Sequence, residues 1–88
     1  MIKEFKLKEK LEIRIYLTHD QVNLGNETIG KTIEKIVGKT IVDLVKISES
    51  SYAMTIYNQI WKVIFEDGSI MYVQVQIDFE KGLMIISL

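Results

Sequence analysis

Asp67-Gly68 stands between two strand-like runs, Ile60 to Glu66 and Ser69 to Phe79. That dipeptide readily takes the positive φ angles of a two-residue hairpin loop, so the runs are expected to pair as antiparallel strands. A two-residue loop sets Glu66 opposite Ser69 and fixes everything beyond by counting. Ile64 then meets Met71, Lys62 meets Val73, Ile60 meets Val75 and Asn58 meets Ile77. Because side chains alternate between faces, the face carrying Met71, Val73, Val75, Ile77 and Phe79 is the expected core. The opposite face collects Tyr57, Gln59, Trp61, Val63, Phe65, Tyr72 and Gln74, with Gln76 beside them. Large aromatics next to neutral amides, with few charges, have the composition of an interface centre. These seven residues are therefore the candidate binding site. The competing reading is a second core, reached if the sheet curls on itself or the first strand folds across it. A Trp61→Ser variant separates the two, through loss of a partner or loss of thermal stability.

Periodicity organises the rest of the chain. Residues 5 to 17 alternate, with Phe5, Leu7, Leu11, Ile13, Ile15 and Leu17 on one side and charged residues on most of the other, as in a half-buried strand. A bend or bulge is expected near residues 8 to 10, where Glu9 interrupts the apolar side. Thr18 to Asn26 reads as a connection. Asn26 is a suitable N-cap, although Thr18 with Gln21 could start the helix earlier. Ile29, Ile33, Ile36 and Val37 form one apolar helical stripe, Glu27 and Lys31 an i,i+4 pair, and Gly38 the residue that ends the helix. Thr40 to Ser48 fits either a strand or an extension of the helical stripe, with the strand favoured by its β-branched content. Ser48 to Ser51 reads as a turn and Lys81-Gly82 as another, before the apolar run Leu83 to Leu88. The layout is β-α-β-β-β-β: an α+β fold with one amphipathic helix packed on a curled antiparallel sheet of four to five strands.

Composition bounds the function classes. At 88 residues the chain is read as a single domain spanning 1–88. It has no cysteine, which excludes disulfides, thiolate metal sites and cysteine nucleophiles. A net charge of −1 gives no bulk attraction to nucleic acid or to anionic lipid. No apolar run reaches spanning length and Met1 to Lys6 has no signal-like core, so a cytoplasmic protein with no membrane partner is expected.

Few residues suggest chemistry. His19 has only Asp20 as a sequence neighbour and reads as a loop histidine. Glu66, Asp67, Asp78 and Glu80 belong to turns, where acids are common, and no metal-ligand spacing appears. Gly25-Asn-Glu-Thr-Ile-Gly30-Lys31-Thr32 matches the pattern of a phosphate-binding loop, but the expected parallel-strand surroundings are missing. Lys6, Lys8, Lys10 and Arg14, with Lys3, make a basic stripe on the first strand. The stripe suits phosphate contact, or the charge that keeps an edge strand from aggregating.

Ile77-Asp78-Phe79-Glu80-Lys81-Gly82 resembles the valine-aspartate-x-x-x-glycine turn of PepSY-type, cystatin-like modules. The likeness runs from Ile60 to Ile86 and would imply a sheet wrapped on a helix with an inhibitory or regulatory role. The residues themselves favour a non-enzymatic accessory or inhibitory protein, of the kind found in phages and mobile elements. It would bind a protein partner or its own copy through the Trp61 face, with no cofactor and no metal. A nucleic-acid-binding accessory protein using the basic strand is the alternative, and a nucleotide binder the third reading.

Overall fold

The computed structural model describes residues 11–16 and 25–88. Six elements follow in order: β1 (Glu12–Tyr16), α1 (Gly25–Val37), β2 (Ile41–Ala53), β3 (Ile56–Phe65), β4 (Ile70–Asp78) and β5 (Leu83–Ser87). The strands form one antiparallel sheet, β1-β5-β4-β3-β2, with α1 against one face. Helix and strands follow one another as expected. The expected curl is absent: β1 and β2 are the two edges of an open sheet and do not pair. Curling had been needed to cover aromatic residues on the face away from the helix, and those residues lie on the helix side instead.

Ile29 and Ile33 are fully buried on α1 and Val37 is half-buried, while Ile36 is 40% exposed at the rim of the stripe. Gly30 faces β2, where a Cβ would lie 3.7 Å from Leu44 Cδ2, an ordinary contact that an alanine could also make. The helix ends where Gly38, at φ 76°, donates its amide to the Glu34 carbonyl. Glu34 Oε2 then accepts the Ile41 amide at 2.8 Å and so joins the helix to the start of β2.

Strand β2 accounts for the ambiguity of residues 40–48. Its pairing with β3 skips one residue at Val42, at Ile47 and at Tyr52. Each such bulge places residues three apart on the same face. Ile41 and Leu44 both reach the core side, opposite Phe65 and Val63, with a spacing that mimics a helix. The turn expected at Ser48 to Ser51 does not exist. Those residues pair with Ile60, Gln59, Asn58 and Tyr57, and the chain reverses at Met54 and Thr55. Their polarity reflects an exposed edge strand rather than a reversal.

The hairpin loop holds three residues, not two. Phe65 donates its amide to Ser69 O and Gly68 donates to Phe65 O, both at 2.9 Å, while Gly68 sits at φ 86°. This is a tight turn followed by a left-handed glycine, the bulged three-residue loop. Glu66 cannot pair with Ser69 because its amide donates to Thr40 O at 2.8 Å. Asp67 secures the longer loop by accepting the Ser69 hydroxyl and amide and pairing with Lys39 at 2.9 Å. The Ser69 hydroxyl above all, then Lys39, holds the Asp67 carboxyl well below the usual carboxylate range. The contacts it makes are therefore complete at neutral pH and are lost only as pH falls through that lowered value.

One extra loop residue shifts the whole register. Trp61 opposes Val73, Val63 opposes Met71, Gln59 opposes Val75 and Tyr57 opposes Ile77. Trp61, Val63 and Phe65, at 4%, 0% and 3% exposure, pack in one core with Val73, Val75, Ile77, Met84, Ile86, Ile29 and Ile33.

Candidate functional site

The register separates the seven residues expected to share a face. Tyr57, Gln59, Trp61, Val63 and Phe65 lie on the helix side, whereas Tyr72 and Gln74 lie on the open side, exposed. The aromatic docking patch does not form. Phe79, expected in the core, is 43% exposed and meets Tyr57 edge-on at 5.4 Å between ring centroids.

Where the helix-side face runs out, the polar residues are tied together. Trp61 Nε1 donates to Gln59 Oε1 at 2.9 Å, and Gln59 Nε2 donates to Glu49 Oε2 at 2.7 Å. Lys46 Nζ completes the chain, 3.0 Å from the same carboxylate oxygen. The bulge at Ile47 makes this possible by putting Lys46 and Glu49 on one face, opposite Trp61 and Gln59. Lys46 first, and Gln59 second, lower the Glu49 carboxyl below its ordinary value. The chain satisfies a buried indole and a buried amide, as a core polar group requires. Among the described residues no buried side-chain nitrogen or oxygen lacks a partner.

The other face of the sheet is covered by no described residue. Its middle row runs from edge to edge as Glu12, Ser87, Gln74, Ile60 and Ser48, and the next as Arg14, Ile85, Gln76, Asn58 and Ser50. A third row carries Tyr16, Leu83, Asp78, Ile56 and Ala53. Toward the 66–68 loop lie Tyr72, Lys62 and Val45, then Ile70, Ile64 and Asp43. A shallow groove of about 330 Å³ crosses the middle, lined by Ser48, Ser50, Asn58, Gln74 and Gln76 among others. Sequence counting missed Ile60, Asn58 and Ile85 as part of this surface. A single off-by-one in the loop had moved Ile60 and Asn58 to the core.

The remaining candidates are accounted for. Gly25 to Thr32 is helical throughout, so no loop of backbone amides faces a phosphate there. Within it Lys31 pairs with Glu27 at 2.8 Å and Thr32 Oγ1 donates to the Thr28 carbonyl at 2.7 Å. Asp67 and Asp78 stand at opposite ends of β4, and Asp78 Oδ1 accepts the amides of Glu80 and Lys81. The described residues contain no cluster able to hold a metal ion, and no described helix is long and apolar enough to cross a membrane. Arg14 pairs with Glu12 at 3.3 Å on the open face. Lys6, Lys8, Lys10 and His19 lie outside the described residues, as do the bend expected near 8–10 and the Thr18 cap.

No protein-family model, curated protein or solved structure matches the chain. The likeness to PepSY-type modules thus stands on the turn residues alone, and the wrapped sheet it implied is replaced by an open one.

Proposed function

We propose that this chain is a non-catalytic binding module that presents the open face of its sheet to a protein partner in the cytoplasm. One observation carries the reading. An antiparallel sheet with one face in water normally alternates apolar-in and polar-out, yet here the outward face bears Ile60, Ile70, Tyr72 and Val45, 37–58% exposed, with Ile85 and Leu83 half-buried. Neutral amides and hydroxyls fill most of the space between them. A contiguous surface of that make-up is used for contact far more often than it is left bare. Among the described residues its charges are Glu12, Asp43 and Asp78 against Arg14 and Lys62, a slightly negative balance that gives those residues no pull on phosphate. A cysteine-free small core suits a reducing compartment.

The test is affinity capture from the cells that make the protein, comparing wild type with Ile60→Glu and Tyr72→Glu. The reading expects both variants to lose the partner and to melt within about 4 °C of wild type, since exposed substitutions usually change stability by less than about 0.5 kcal/mol. Capture that survives both charges would overturn it.

A further inference from the structure

Resting on that reading, we infer that the partner is a second copy of this chain, docked face to face about a two-fold axis that runs along β4. An isologous dimer sets each on-axis residue against itself, so the strip on the axis must be self-complementary. β4 is the middle strand of the five, and its outward residues are Ile70, Tyr72, Gln74 and Gln76. None is charged. An isoleucine or a tyrosine ring packs against its twin, and a glutamine amide carries both donor and acceptor, so it satisfies a copy of itself. Most of the charges stand off the axis, on β1, β3 and β2. Asp78 ends the strip, with one carboxylate oxygen already engaged by two turn amides.

Size agrees. Where all five strands run side by side, over the length of β5, the face spans about 24 Å by about 17 Å, and β4, β3 and β2 extend it about 10 Å further toward the 66–68 loop, roughly 550 Å² in plane, approaching the ~800 Å² per partner of a standard interface. The two edges are poorer choices. β2 is broken by three bulges and β1 carries the charged pair Glu12 and Arg14, both devices that discourage edge-to-edge pairing.

Light scattering of the full chain across a dilution series tests this. The expected result is twice the monomer mass of 10.2 kDa, reverting to monomer on dilution. Gln74→Glu sets a carboxylate against its own copy at the centre and should weaken the dimer about a hundredfold or more. Val42→Glu, on the β2 edge and 61% exposed, should leave it unchanged. Thermal melts that match wild type at a dilution where the wild type is monomeric confirm that both variants are folded. A chain that stays monomeric at every concentration, or a dimer indifferent to Gln74→Glu, overturns the inference. If the wild type is monomeric but captures a different protein that Tyr72→Glu releases, the inference fails while the open-face reading stands. If neither dimer nor face-dependent capture is found, both fail.

Discussion

Replacing Trp61 with serine lowers the stability of the domain by about 3–5 kcal/mol or more, the range for truncating a buried tryptophan. Trp61 is 4% exposed in the centre of the helix-covered core. Its loss leaves a cavity in the core that it shares with Ile29 and Ile33. It also removes the indole that donates to Gln59, so a buried amide loses one of its two partners. A small domain holds a reserve of about 5–15 kcal/mol. In a chain this short each kilocalorie moves the melting temperature by about 4–8 °C, so a drop of roughly 12–40 °C is expected. The matched control is Tyr72→Ser, on the other face at 58% exposure, which should melt close to wild type. Calorimetry of the two variants decides which face of the β3–β4 hairpin is inside. A mild Trp61→Ser would contradict the burial described here.

Ile33→Ala should cost about 2–5 kcal/mol, whereas Ile36→Ala should cost less than about 1 kcal/mol. Both residues belong to the stripe that identified the helix. Only Ile33 and Ile29 sit fully inside, where they seal the sheet's core face, while Ile36 lies at the margin with 40% of its surface in water. Chemical denaturation with a shared slope separates the two costs. Equal losses would mean that α1 is rotated about its axis relative to the arrangement described.

How much of this was legible in the sequence follows from the kind of signal each element carries. The α1 stripe and its Gly38 end were readable because periodicity and a left-handed glycine are local properties. The hairpin was readable for the same reason, but its loop length was not. Asp67-Gly68 suits both a two-residue loop and the last two residues of a bulged three-residue loop. The choice is made by partners distant in sequence: Thr40, which takes the Glu66 amide, and Lys39, which pairs with Asp67. Because the side-chain period is two, that single residue exchanged the faces of β3 against β4. It carried Trp61, Val63 and Phe65 into the core and brought Ile60 and Asn58 out. Bulges hid β2 in the same way, by giving a strand the spacing of a helix at Ile41 and Leu44. The open face emerges only once all five strands are laid side by side, because each contributes one residue to a row that is discontinuous in sequence.

Cross-strand Hα–Hα nuclear Overhauser contacts read the β3–β4 pairing without any assumption about partners. Phe65 and Ser69 are hydrogen-bonded opposite each other, so the alternate pairs are the close ones, with α-carbons about 4.5 Å apart. Contacts are expected between Ile64 and Ile70, between Lys62 and Tyr72 and between Ile60 and Gln74. Finding Ile64 against Met71 or Ile60 against Val75 instead would mean a loop one residue shorter. The indole of Trp61 would then face outward, and the neutral surface assigned to docking would be the wrong one.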